Sequence, residues 1–282
     1  MKKVAWITDS TCVLPDAFCQ AHHIYKLPLQ VIVDGTSFQD GVNISPDDVF
    51  SQIGYKKITT SQPSPNDFIT LYEQLKEEYD VGISYHISSK LSGTHSTSVQ
   101  AAEMVGFPLR GIDSKSGIHP MSMLLKDAVL DYESGTDLDT VLHHLEQNSS
   151  TTSIYFTVEN LQQLHQSGRV KGTQALLGTL LNIKPLFCFD NGEVVPIEKL
   201  RSRKKALAKL VSYLQIDRDL FDVVHVSIFH GADEETATSL KELLQSEYGI
   251  TDVEIHPISP VVGTLTGKGT IGLTWIRKPK QA

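Results

Sequence analysis

Cysteine is scarce in this 282-residue chain: Cys12, Cys19 and Cys188 are all there is. Three thiols at no metal-like spacing exclude a disulfide framework and a thiolate zinc site. They read as reduced thiols packed as small apolar groups. Long apolar runs are missing too, with nothing near the roughly 18 residues that cross a bilayer. The first apolar run turns polar at Thr8-Asp9-Ser10-Thr11, too soon for a secretion signal, so a cytoplasmic protein without an integral membrane segment is expected. Excess positive charge is absent. Lys and Arg number 25 against 33 Asp and Glu, a formal net charge of -8. That excludes general nucleic-acid binding, which needs a basic face against the phosphates. Gly-x-Ser-x-Gly does not occur, which removes the nucleophile elbow of the α/β-hydrolases.

What is present is an ordinary globular composition, 40% hydrophobic and 21% charged. The length points to two domains. Short apolar runs alternate with helical patterns, which predicts α/β architecture with a largely parallel sheet. The polar run Asn148–Ser153 has no periodicity and divides the chain into residues 1–152 and 153–282. Ser45-Pro46-Asp47-Asp48 and Ser64-Pro65-Asn66-Asp67 both place Ser at a helix N-cap, Pro at the first helical position and acids in the first turn. Behind the second, Phe68, Leu71, Tyr72, Leu75 and Tyr79 form one apolar stripe. Further helices are expected over residues 94–105, 121–132, 137–147, 158–167, 174–181, 204–214 and 234–247. Strands are expected over 4–8, 27–33, 81–87, 109–112, 154–157, 183–189, 194–200, 223–229, 253–258 and 269–276.

Two polar loops carry the chemistry. Ser88-Ser89-Lys90-Leu91-Ser92-Gly93-Thr94 sits where a strand hands over to a helix. Ligands of open α/β sheets gather at such strand ends, and the free N–H groups of a helix start favour an anion. Gly93 would let the ligand approach the backbone. Thr59-Thr60-Ser61-Gln62-Pro63-Ser64 offers five side-chain hydrogen-bonding groups, more than a cap requires. A third loop, Gly263 to Thr270, resembles a phosphate loop, but its Gly-to-Lys spacing is one residue short and Gly269 separates Lys268 from Thr270. From Gln166 to Lys205 there are eight basic residues against three acids, a local reversal that suggests docking to an acidic partner or a phosphate; a plain solvated face is the other reading. The pairs His22-His23 and His143-His144 lack the i,i+4 spacing of helical metal ligands, and no acid or Cys cluster accompanies the other histidines, so no metal site is expected. An enzyme reading would pair Ser92 with His95, one helical turn on, as a serine hydrolase or transferase. A non-lipid module for a small acid or phosphate is the remaining alternative.

The order of motifs resembles the DegV family. The resemblance runs from residue 7 to about 275 through Ile7-Thr8-Asp9-Ser10-Thr11, Thr60-Ser61-Gln62-Pro63, Ser88 to Thr94, Asp113-Ser114, Glu159-Asn160-Leu161, Gly168-Arg169-Val170, Ile183-Lys184-Pro185 and Gly263-Thr264. It implies two α/β domains with a ligand cleft between them and a bound long-chain fatty acid such as palmitate. It also implies no catalysis and no cofactor, with the fatty acid presented to a separate fatty acid kinase for phospholipid synthesis. By position, Thr60, Ser92 and the Gly93 backbone would hold the carboxylate. Ser61, Thr94, Thr264, Leu265 and Thr266 would be further pocket or loop contacts, and Arg169 and Arg201 would serve partner docking. The family's kinase-partner members commonly have Gly-Thr-His-Thr-Gly-Pro-Gly where this chain has Gly263-Thr264-Leu265-Thr266-Gly267-Lys268-Gly269. Leu265 cannot donate to a carboxylate, so one polar partner is lost.

Overall fold

A computed structural model describes residues 2–173 and 183–280. The helix expected over 174–181 lies outside the described residues. The chain opens with β1 (Val4–Asp9), α1 (Asp16–Ala21) and β2 (Ile24–Leu27). It continues through β3 (Gln30–Val33), β4 (Thr36–Gln39), α2 (Pro46–Gln52), β5 (Ile58–Ser61) and α3 (Pro65–Leu75). Next come β6 (Val81–His86), α4 (Thr94–Val105), β7 (Leu109–Asp113), α5 (Ile118–Glu133) and α6 (Leu138–Ser149). Four of these strands form a parallel sheet in the order β2-β1-β6-β7. Every residue of β1 and β6 is buried, as expected of a parallel sheet covered on both faces. Alternation sorts the faces: Ala5 and Ile7 pack on α3 and α4, while Trp6, Ile83 and Tyr85 pack on α5 and α6.

The two Ser-Pro helix starts are realised as complete capping boxes, Ser45 with Asp48 and Ser64 with Asp67. The strand expected over 27–33 is instead two strands in two sheets. Pro28 separates them, having no N–H to donate to a ladder. β3 turns through Asp34-Gly35, both at positive φ (47° and 86°), into β4, and β5 completes the three-stranded antiparallel sheet β4-β3-β5.

From Thr152 the chain builds β8 (Thr152–Thr157), α7 (Leu161–Gln166), β9 (Lys184–Asp190) and β10 (Glu193–Leu200). It ends with α8 (Arg203–Leu220), β11 (Asp222–His230), α9 (Glu234–Tyr248), β12 (Val253–Pro257), α10 (Pro260–Thr266) and β13 (Ile271–Lys278). The six-stranded sheet has the order β10-β9-β8-β13-β11-β12, and only β11 and β12 run parallel. The largely parallel expectation therefore holds in the four-stranded sheet and fails in the three-stranded and six-stranded ones. β9 and β10 form a hairpin at Asn191-Gly192, both at positive φ, and β13 returns antiparallel between β8 and β11. One face carries α8 and α9; the other carries α7 and the aromatic cluster Phe156, Phe187 and Phe229. Ile276 of β13 joins the buried cluster of the first half, so the two sheets share packing through α5. Cys12 and Cys19 are buried, Cys188 is half-buried, and all three are unpaired.

Candidate functional site

In the parallel sheet, the chain leaves β1 toward β2 on one side and β6 toward β7 on the other. The carboxyl ends of β1 and β6 are thus a topological switch point, where ligands bind open α/β sheets. Asp9 ends β1 there, fully buried. Its Oδ1 accepts from Thr11 N (3.0 Å) and Oγ1 (2.5 Å), and its Oδ2 from Ile87 N (2.9 Å); Oδ2 also lies 3.2 Å from His86 Nδ1. Burial pushes the Asp9 carboxyl up, but the contacts with His86, Thr11 and Ile87 outweigh it and hold the group below the usual carboxylate range. Asp9 thereby pins the start of the Ser88–Thr94 loop. Asp113, at the end of β7, accepts from Ser89 N at 3.0 Å and from Ser89 Oγ. Ser88 Oγ donates to Gly192 O at 2.8 Å, tying the loop to the hairpin of the six-stranded sheet.

Ser92 Oγ lies 2.8 Å from Thr94 Oγ1 and accepts from Thr94 N at 3.4 Å. If Thr94 donates, the Ser92 proton is free for an anion at the positive end of the α4 dipole. Gly93 also meets a need that the sequence did not announce. A Cβ there would sit 2.2 Å from Gln62 Oε1, so its bareness admits Gln62. Gln62 also donates through Nε2 to Thr97 Oγ1 and so joins the end of β5 to the start of α4.

Thr60 and Ser61 lie on β5 and not in a loop, with Thr60 opposite Val31. The Ser61 hydroxyl is spent on Gln62 O (2.9 Å). Thr60 lines a polar cleft of about 640 Å³ together with Lys57, Gln163, Arg169, Thr264 and Leu265. Behind it lies an apolar cavity of about 70 Å³, walled by Leu91 and Ile118 from the first half and Phe156, Phe229 and Leu265 from the second, with Thr266 at its edge. Ser167, Arg169 and Leu265 border both spaces, so the polar cleft and the apolar cavity adjoin. Ser92, Gly93 and Thr94 do not line either space; their neighbour Leu91 does. Ile118, a β-branched residue at φ 47°, is an outlier held in place at this wall.

The segment expected to be a loop over 263–266 is helical, because α10 starts from Ser259-Pro260 with Ser259 as cap. That changes what its threonines can do. Thr264 Oγ1 donates to Pro260 O (3.0 Å) and Thr266 Oγ1 to Val262 O (3.1 Å), so neither proton is free for a carboxylate. Asp40 holds the start of this helix from the first half, its Oδ1 accepting from Val261 N (2.9 Å) and its Oδ2 from Ser10 Oγ (2.6 Å).

The basic stretch is partly neutralised. Lys171 pairs with Glu193, Lys184 with Glu159, and Arg203 with Glu159 and Asp233. Arg169 is exposed, and among the described residues its guanidinium bonds Ser167 O (2.6 Å); Arg201 is exposed just before the Ser202 cap of α8 and lines neither space. No hydrogen bond among the described residues joins Ser92 to His95. His95 packs instead over β7, 3.0 Å from where a Gly111 Cβ would stand, and burial lowers its pKa despite the nearby Asp113.

The model of the family described as "Uncharacterised protein, DegV family" matches residues 3–278. This chain belongs to the DegV family. A DegV domain-containing protein of Listeria innocua is 34% identical over 278 residues, covering 97% of this chain and 98% of the relative. Protein DegV of Bacillus subtilis is 32% identical over 279 residues, 98% and 99% of the two chains. Among solved structures, a fatty-acid-binding DegV family protein of Thermus thermophilus superposes with a TM-score of 0.90 at 28% identity, covering 98% of this chain and all of that one. The fatty acid binding protein DegV of B. subtilis superposes with 0.88 at 30% identity over 99% of this chain.

The aromatic and aliphatic wall of the cavity escaped sequence reasoning. Phe156, Phe229 and Val262 carry no motif, and their shared face exists only once β8, β11 and α10 are assembled.

Proposed function

We propose that this chain binds one long-chain fatty acid, with the acyl chain in the apolar cavity and the carboxylate at its polar mouth. The observation that carries the reading is an apolar cavity lined from both halves that adjoins, through Ser167, Arg169 and Leu265, a polar cleft holding Thr60. The fatty-acid binding of the Thermus and Bacillus relatives supports it. Each buried methylene contributes about 0.8 kcal/mol, so a palmitate-length chain offers on the order of 10 kcal/mol before association costs. The carboxylate needs donors, or its desolvation offsets part of that gain. Thr60, which lines the cleft, is one proposed donor; the Ser92 hydroxyl and the Gly93 backbone, next to the wall residue Leu91, are the others and reach the carboxylate only once the walls part to admit the chain. Leu265 belongs to the acyl wall, where an apolar residue serves and a histidine would not.

In this reading residues 1–152 supply the carboxylate loops and residues 153–282 close the acyl pocket. The chain works in the cytoplasm without a cofactor or chemistry of its own. It presents the acid to a fatty acid kinase through the exposed Arg169 and Arg201. Mass spectrometry of gently purified protein, after organic extraction, tests the central claim. One acyl chain per protein is expected, and a protein that carries none and takes up none would sink it. Ser92→Ala and Thr60→Ala should each weaken acyl binding roughly 10- to 100-fold, the net worth of one hydrogen bond to a charged acceptor. Unchanged affinity in both moves the carboxylate elsewhere.

A further inference from the structure

His119 is the second residue of α5 and is almost fully buried, whereas Glu254 and His256 stand two apart on β12 and so share one face of that edge strand. The three meet on one oxygen. His119 Nε2 lies 3.0 Å and His256 Nε2 2.9 Å from Glu254 Oε2. The two rings lie 4.8 Å apart, tilted by 30°. One ligating atom from each residue lies within 4.8 Å of the other two. The His119 side chain is 3% exposed, Glu254 56% and His256 25%, so the cluster is walled by protein on one side and open to water on the other.

We infer that His119, Glu254 and His256 form a binding site for one divalent transition-metal ion of the zinc class. Two imidazoles and one carboxylate are a ligand set such ions take, with water in the fourth position. Bonds of about 2.0–2.1 Å in a tetrahedral shell put neighbouring ligand atoms roughly 3.3 Å apart, so the observed contacts need only a small opening to admit the ion. Sequence spacing hides the site, because His119 lies more than a hundred residues from Glu254 and His256 and meets them only when α5 lies against the edge of the six-stranded sheet. The ion would clasp the first half of the chain to the second. A further imidazole–carboxylate contact, His225 Nε2 to Asp127 Oδ2 at 3.6 Å, joins the same helix to β11. None of the three ligands borders the acyl cavity, so the site is independent of fatty-acid binding.

The test uses the full chain freed of metal with a chelator, then titrated with Zn²⁺ by calorimetry and with Co²⁺ by visible absorption. One ion per chain is expected, with a tetrahedral cobalt spectrum. His256→Ala and Glu254→Gln should each weaken binding by at least about 10-fold, while acyl loading stays unchanged. Because His119 is buried, the two variants on β12 carry the test and His119→Ala supplements them. Wild-type protein that binds no stoichiometric ion overturns the inference, as does binding that survives both variants. A His143→Ala/His144→Ala control that abolishes binding would assign the ion to that surface pair and overturn it equally.

Discussion

A methyl group on Gly93 would press on Gln62 Oε1, which stands 2.2 Å from the position of the missing Cβ. Gly93→Ala should therefore swing Gln62 away from Thr97 and destabilise the fold by about 0.5–1.5 kcal/mol, the net worth of that hydrogen bond, read from the urea midpoint. Adding Gln62→Ala should then cost little more, since the two substitutions share one contact. Additive effects would mean that Gln62 is not what requires glycine here. Asp40 makes a second prediction at this scale. Burial drives its carboxyl up to about 6, against the opposing hydrogen bonds from Ser10, Val261 and Ser259. A raised acid pKa means folding favours the protonated form. The stability this gives is complete below the ordinary value of 3.8 and is lost as pH rises through about 6. The loss is about 3 kcal/mol, and Asp40→Asn, neutral throughout, should flatten the stability profile between roughly pH 4 and 7. A slope that persists in the variant would assign the titration elsewhere. Single residues were legible where they act locally, as with the Ser45 and Ser64 caps. They were illegible where the role is set by a distant partner. Asp40 reaches Val261 across the chain, and nothing near Gly93 in sequence announces Gln62.

At the level of elements, β13 has to pass beneath two aromatic rings. A Cβ on Gly272 would meet Phe229 Cζ at 2.3 Å and Phe156 Cβ at 2.7 Å, and both rings wall the apolar cavity. Gly272→Ala should push Phe229 into that cavity and weaken acyl binding as well as stability. Affinity equal to wild type, measured by fluorescent fatty-acid displacement, would show that the ring yields in another direction. The cavity volume of about 70 Å³ is well below the roughly 300–1,000 Å³ typical of small-molecule sites, so the acyl chain proposed to bind there would have to part its walls. Hydrogen exchange at α7 and α10 should therefore change on acyl loading, while β1 and β6 stay protected. The helices α3, α4, α5 and α6 were legible because their apolar faces repeat at helical spacing. α10 was not, because seven residues containing Gly263, Thr264 and Thr266 have weak helix propensity and rely on Ser259, Pro260 and Asp40 to start the turn. The antiparallel return of β13 was hidden for another reason: strand direction is set by tertiary pairing and leaves no mark on local periodicity.

For the whole molecule, the apolar cavity is walled by residues of both halves, so a chain bound there as proposed would add apolar contact to both at once. A ligand that binds only the folded state at a hundred times its dissociation constant stabilises by about 2.7 kcal/mol. For a protein of this size that raises the thermal midpoint by roughly 5–10 °C, measurable by calorimetry on delipidated and reloaded protein. A midpoint indifferent to reloading would place the chain outside the cleft. The net charge of -8 and the absence, among the described residues, of any helix long and apolar enough to cross a membrane were both readable from composition alone. The cleft itself was foreshadowed by the family resemblance and not by physics, since its two walls come from segments more than a hundred residues apart.

The three thiols have a practical consequence. Burial pushes Cys12 and Cys188 up to about 11, with Asp190 adding to the effect at Cys188, and burial also raises Cys19. Alkylating reagents attack the thiolate, which none of the three supplies in quantity at neutral pH while the chain stays folded. The native protein should be nearly silent to iodoacetamide and should gain three adducts on denaturation. Cys12 and Cys19 belong to the first half and Cys188 to the second, so the order in which adducts accumulate is a built-in clock for which half opens first.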